Sequence, residues 1–184
     1  MSADMLYLTL AALAFAIALN LKLTLAVLRS ARRAAHPATP LQPGDRLPDV
    51  DGSTLAGRAR VRLAEPGQAR ALLFLSSRCP KCRDKVPAIG ALAGAAREAG
   101  LALWIVSDEP RWRLRSLLRG TALAAHTARI GAHDYRLLNP TGASPAYLFV
   151  GHDGAIEAAG LIGDPHWRAL ERQLAGDAIG ERAA

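Results

Sequence analysis

Two hydrophobic patterns divide the chain. From Met5 to Leu19 it is apolar apart from Thr9; Asn20 and Lys22 interrupt, and Leu23 to Leu28 resumes. Residues 5–28 are long enough to cross the ~30 Å hydrocarbon layer as a helix. Lys22 lies near one end, where its side chain can reach the headgroups. A cleaved leader would carry positive charge before the apolar run, but the start is Met-Ser-Ala-Asp, and Arg29, Arg32 and Arg33 stand where a small-residue cleavage site belongs. Residues 1–30 are therefore expected to form an uncleaved single-span anchor, in preference to a buried core helix. Residues 31–43 read as a proline-rich linker, and a folded domain is expected over 44–176, with a tail at 177–184.

Within the domain the apolar runs are short. Ala71–Leu75 suits a strand buried on both faces. A helical pattern follows, with Val86, Ile89, Ala93 and Ala96 on one face and Gly100 as its stop. Leu101–Val106 reads as a second buried strand. Asp108 and Pro110 open another helix, with Trp112, Leu114, Leu117 and Leu118 as its apolar content and Gly120 beyond its end. Residues 121–143 carry weak signals, read as a short strand and a partial helix before the turn Asn139–Gly142. Ala146–Val150 and Ala155–Ala159 flank Gly151–Gly154 as a hairpin. Asp164 and Pro165 start a last helix with Trp167, Leu170 and Leu174 inward and Gly176 at its end. Strands joined by helices, followed by a hairpin, imply an α/β fold with a mixed central sheet flanked by helices.

Composition adds a net charge of +7 over 184 residues. The arginines are scattered, with no aromatic-and-basic platform or zinc-finger spacing, so no nucleic-acid partner is expected. The two cysteines, Cys79 and Cys82, exclude a disulfide-scaffolded fold. They sit two residues apart, where the first buried strand hands over to a helix. A sulfur at the start of a helix faces free N–H groups and the positive end of the dipole, both of which favour thiolate. Arg78 and Lys81 are expected to add to that stabilisation. A thiolate is the attacking species in disulfide exchange, and Cys82, one turn on, can resolve a mixed disulfide on Cys79. Two readings compete with this one. A metal site needs more ligands, and His126, His133, His152 and His166 lie in unrelated segments without ligand spacing; a pair of inert buried cysteines would be purely structural. No cofactor or metal is expected.

The stretch Leu-Leu-Phe-Leu-Ser-Ser-Arg-Cys-Pro-Lys-Cys, with Pro87 five residues past Cys82, resembles the active-site segment of the thioredoxin superfamily. Ala-Ser-Pro-Ala-Tyr-Leu-Phe-Val, residues 143–150, resembles that superfamily's cis-proline segment. The resemblance implies a thioredoxin-like fold, a cis bond at Pro145 and a substrate-binding role for Ser144 and Pro145 opposite the cysteines. Pro-Gly-Asp-Arg-Leu-Pro, Asp51-Gly52 and Val-Gly-His-Asp-Gly-Ala-Ile are similar to the membrane-anchored TlpA-like proteins. The anchor with Ser-Pro-Ala-Tyr-Leu-Phe-Val and Ala-Ala-Gly-Leu-Ile-Gly is similar to the MauD type, linked to maturation of methylamine dehydrogenase. These likenesses imply a thiol:disulfide oxidoreductase at the inner membrane, acting on cysteine-containing proteins and reset by a redox partner. The arginines after the span favour a cytoplasmic domain, whereas the resemblance implies a periplasmic one, which is the expectation adopted. Two departures stand out. Arg78 replaces the Trp of many relatives, making the substrate-facing surface more basic and less aromatic. Leu73 stands where thioredoxin keeps a buried Asp, which favours an oxidant or isomerase over a reductant. A metal-carrying binding module and a thiol peroxidase are the alternatives.

Overall fold

Five consecutive buried residues fix the centre of the molecule. β3 (Arg70–Phe74) is buried throughout and pairs in parallel with β4 (Ala102–Ser107) and antiparallel with β6 (Ala146–Val150). A strand hydrogen-bonded on both edges and covered on both faces favours apolar side chains, and its one polar residue, Arg70, donates to Glu65 O. The computed structural model describes residues 3–34, 40–57 and 59–180. It divides into two compact units, Met1–Pro37 and Ala38–Ala184.

The first unit is one helix, α1 (Ala3–Ala34). Its stretch Thr9–Ala26 is long and apolar enough to cross a membrane by length and composition, and its side chains are exposed. Residues 31–34, expected to begin the linker, continue this helix instead. The rest of the expected linker up to residue 39 lies outside the described residues.

In the second unit, the described residues form a seven-stranded sheet in the order β2-β1-β5-β4-β3-β6-β7. The added strands are β1 (Asp51–Thr54), β2 (Arg60–Arg62), β5 (Thr127–Arg129) and β7 (Ile156–Leu161). β3, β4 and β5 run parallel; the other pairs are antiparallel. The helices are α2 (Pro80–Glu98), α3 (Arg111–Leu117), α4 (Ala132–Leu138) and α5 (Pro165–Gly180). Successive side chains of β3 point to opposite faces, and this alternation builds two cores. Ala71, Leu73 and Leu75 join Cys82, Val86, Ile89, Leu114 and Trp167. Leu72 and Phe74 join Leu47, Val50, Leu138 and Leu148.

β1 and β2 carry no apolar run and were not expected. Side-chain fit and a half-buried cation place β1. A Cβ at Gly52 would lie 3.1 Å from the Ile130 side chain and 3.2 Å from that of Ala128, so glycine lets β1 close on β5. Arg111 then donates to Thr54 O at 2.8 Å, Leu55 O at 3.3 Å and Ser53 Oγ at 2.8 Å.

The last helix also differs from expectation, running past Gly176 to Gly180, so part of the expected tail is helical; residues 181–184 lie outside the described residues. Its start is as read: Asp164 Oδ1 accepts from Trp167 N at 2.8 Å, and Pro165 is the first helical residue. In α3, Leu114, Leu117 and the following Leu118 are buried, but Trp112 is 66% exposed. An aromatic at the second position of a seven-residue helix falls off the buried stripe and stays in solvent.

Candidate active site

The two cysteines occupy different environments one helical turn apart. Strand β3 ends at Phe74, the chain crosses Leu75–Arg78, and Cys79 becomes the N-cap of α2 with extended backbone, φ −96° and ψ 115°. Pro80 follows at the helix start, where its missing N–H costs no hydrogen bond, and Pro87 lies inside the helix. Cys79 is partly exposed; Cys82 is fully buried on the stripe with Val86 and Ile89. Both are free thiols. Opposite them, the Ser144–Pro145 peptide bond is cis. The Cys79 Sγ–H points to Ser144 O at 3.6 Å, and Pro145 O accepts from Ile162 N at 3.1 Å, which ties the loop to the end of β7.

These surroundings split the two thiols. Burial, the largest influence on Cys79, raises it. The Cys82 thiol and N–H, the Ser144 hydroxyl and the Lys81 N–H outweigh burial, so Cys79 ionises below the ordinary thiol range. No capping bond closes on the neutral thiol; the N–H groups act on the charged form, as the end of a helix should. Cys82 is pushed up to about 11, chiefly by burial and further by Cys79, against the Ser76 N–H that reaches its sulfur at 3.4 Å. Arg78 and Lys81 have exposed side chains, and Lys81 reaches the sulfur through its backbone.

Two supports were not apparent from the sequence. The first is Glu109, just past the end of β4. Its carboxylate accepts from Ser76 Oγ at 2.8 Å, from Ser77 N at 3.1 Å and from Ser77 Oγ. Glu109 N in turn donates to Ser107 Oγ at 3.2 Å, so the loop before Cys79 is fastened to the neighbouring parallel strand. The available signal was an acid at the carboxyl end of a strand in an open α/β sheet, where sites collect. The second is Asn139, only 5% exposed. It donates to Ala143 O at 2.8 Å and Tyr135 Oη at 3.2 Å and accepts from Ala143 N at 3.1 Å. It therefore holds both backbone groups of the residue before Ser144.

Leu73 is fully buried and pairs with Tyr147 on β6, so no carboxylate occupies that place. Tyr147 Oη instead bonds to Asp164, 3.1 Å from each oxygen. Among the described residues no three His, Cys, Asp or Glu side chains gather as a ligand set. The cysteine pair thus presents one accessible, easily ionised sulfur and one sheltered thiol behind it.

No protein-family model matches the sequence, and no curated protein matches it. Solved structures do resemble it. The thioredoxin domain of a thiol-disulfide oxidoreductase from Bacteroides vulgatus superposes with a TM-score of 0.61 at 19% identity, covering 73% of this chain and 99% of that one. A protein described as a thiol:disulfide interchange protein DsbE, from Chlorobium tepidum, gives 0.62 at 19%, over 74% and 97%. A peroxiredoxin-like protein from Aquifex aeolicus gives 0.60 at 13%, over 76% and 90%. With its mixed sheet, its helix-capping cysteine and its cis-proline loop, the unit Ala38–Ala184 has the thioredoxin fold.

Proposed function

We propose that this chain is a membrane-tethered thiol:disulfide oxidoreductase that exchanges disulfides with protein substrates through Cys79 and Cys82. The observation that carries the reading is the Cys79 sulfur at a helix N-terminus, partly exposed and 3.6 Å from the carbonyl preceding a cis-proline, with Cys82 buried behind it. Facing a substrate disulfide, the Cys79 thiolate attacks one sulfur. A mixed disulfide forms and one substrate thiolate leaves. Cys82 then gives up its proton and attacks the Cys79 sulfur, expelling the second substrate thiolate and leaving a Cys79–Cys82 disulfide. Two electrons pass to the substrate. In the opposite direction a substrate thiolate attacks the Cys79–Cys82 disulfide, and the same atoms move in reverse. A lowered Cys79 stabilises the reduced pair and so favours this oxidising direction. Leu73, in place of a carboxylate base for Cys82, favours it as well.

Ser144 and Pro145 serve as the docking edge for an extended substrate segment. Helix α1 tethers the domain to the inner membrane, and the domain faces the periplasm, where disulfides form and persist. The resemblance to TlpA-like and MauD-type proteins supports clients that are periplasmic proteins in maturation, with a separate redox partner resetting the pair. In the full chain, held in non-ionic detergent, Cys79→Ser should abolish both insulin reduction and substrate oxidation, and Cys82→Ser should accumulate a mixed disulfide on Cys79. Full retention of either activity in Cys79→Ser ends the reading. A phosphatase fused after residue 184 should be active outside the cytoplasm.

A further inference from the structure

Beside the Cys79 sulfur, the loop that precedes it and the first turn of α2 meet helix α3 across an open groove of about 460 Å³. Ser77, Arg78, Arg83, Trp112, Arg113 and Ser116 line it. Ser77 and Arg78 directly precede Cys79 and Arg83 follows it by one turn, so the groove flanks the segment that carries Cys79. Trp112 stands 66% exposed here, and the Arg113 guanidinium lies 5.0 Å above its ring. The surface beside Cys79 is therefore aromatic as well as basic, the ring coming from α3 rather than from the position before the cysteine.

Among the described residues Arg78, Arg83 and Arg113 belong to no ion pair. Three carboxylates lie close in the chain or fold, of which Asp108 is half-buried and acts on the Tyr135 phenol. Glu109 is taken up by Ser76 and Ser77, and Asp84 is exposed on α2 next to Arg83. Arg111, on the same helix, is committed to carbonyls of the β1 end. Two exposed guanidinium groups, the half-exposed one of Arg113 and one exposed indole remain around the groove that flanks the Cys79 segment. Arginine matches carboxylates in a two-pronged geometry, and Trp and Arg are the side chains that anchor interfaces.

Resting on the oxidoreductase reading above, we propose that this groove selects clients in which an acidic segment adjoins the reacting cysteine. Client carboxylates engage Arg78, Arg83 and Arg113, and an apolar client side chain covers the Trp112 ring. An acidic polypeptide fits better than any other anion because the groove flanks the Cys79 segment, which only a cysteine-bearing partner can use. The exchange itself is the balanced one given above; the groove raises the rate at which the client reaches Cys79.

The test uses the reduced full chain in non-ionic detergent and three peptides sharing one disulfide, flanked by Asp and Glu, by Asn and Gln, or by Lys. At low ionic strength the acidic peptide should react about tenfold faster than the neutral one, and the basic peptide slower than both. The preference should fade in salt as exposed charges are screened. The double variant Arg83→Gln/Arg113→Gln should bring the acidic-to-neutral ratio near one. Arg62→Gln/Arg97→Gln, which removes the same charge on β2 and at the far end of α2, should keep it. Equal rates for the three peptides overturn the groove proposal while leaving the oxidoreductase reading standing. So does a ratio that survives the groove variant or is lost equally in the distant one. If no peptide reacts with the unsubstituted chain, the oxidoreductase reading fails and the groove proposal falls with it.

Discussion

Replacing Asn139 by Ala tests whether the cis-proline loop is held from behind. The side chain makes two bonds to the backbone of Ala143, at 2.8 and 3.1 Å, one residue before the carbonyl that faces Cys79. Losing them leaves the C=O without that partner and the N–H with only the long 3.4 Å bond to Thr141 Oγ1 in a half-buried loop. An unsatisfied buried group costs about 1–3 kcal/mol; water can reach part of this loop, so the pair is worth about 2 kcal/mol. For a domain of this size that corresponds to a fall in Tm of roughly 4–8 °C. The functional effect should separate two reagents. Iodoacetamide meets Cys79 without using residues 143–145, so alkylation should change by less than about threefold. A peptide disulfide must lie along the loop, and its exchange should slow about tenfold, the equivalent of ~1.4 kcal/mol of misplaced docking edge. Thermal melting, timed alkylation and peptide exchange on the same preparation give all three numbers. Equal slowing of both reagents would refute a positioning role, and an unchanged Tm would refute the hydrogen-bond account.

Three further outcomes follow from the groups around the site. Cys82 is raised to about 11 by burial, so the folded reduced chain holds a proton that the unfolded chain loses above pH ~8.5. Its stability is fully present below that pH and falls by about 3 kcal/mol as pH rises to about 11; denaturant titrations should show this slope in the native sequence and its loss in Cys82→Ala. Glu109→Gln keeps the shape but loses the charge that gathers Ser76 and Ser77, and should cost about 1–3 kcal/mol by denaturant midpoint and slow Cys79 alkylation. Asp164→Ala removes both the cap of α5 and the acceptor of Tyr147. It should cost about 1–3 kcal/mol and bring the Tyr147 phenol, now raised to about 12 first by burial and then by Asp164, back down in an ultraviolet pH titration.

How much was legible in the sequence depends on how far each contact reaches. The strand–cysteine–helix junction, the hairpin and the Asp164–Pro165 helix start are local, written in residues a few positions apart, and they form where read, although the hairpin's second strand runs Ile156–Leu161 rather than 155–159. The edge strands Asp51–Thr54 and Arg60–Arg62 are polar and short; Gly52 against Ala128 and Ile130, and Arg111 on Ser53 and Thr54, place the first of them through contacts dozens of residues away. The same holds for Glu109, which reaches back over 30 positions to Ser76 and Ser77. Asn139 lay within a stretch read only as a turn, because its partner backbone groups become meaningful once the loop faces Cys79. In the sequence Trp112 reads only as apolar content of its helix; its exposure follows from a seven-residue helix having room for one buried stripe, which Leu114 and Leu117 occupy.

The asymmetry of the cysteines follows from helical period and helix start together. Cys79, Cys82, Val86, Ile89, Ala93 and Ala96 lie at successive three- and four-residue steps, so both sulfurs belong to the stripe that packs on the sheet. Cys82 is the first member inside the helix and takes the burial that raises it. Cys79 is the same stripe carried one step past the helix end, where it is only partly covered and the unpaired N–H groups of the first turn are nearest. Periodicity alone would bury both sulfurs and give two inert thiols. Pro80, which sets the helix start between them, is what turns one of two equivalent core positions into the partly exposed, ionisable one.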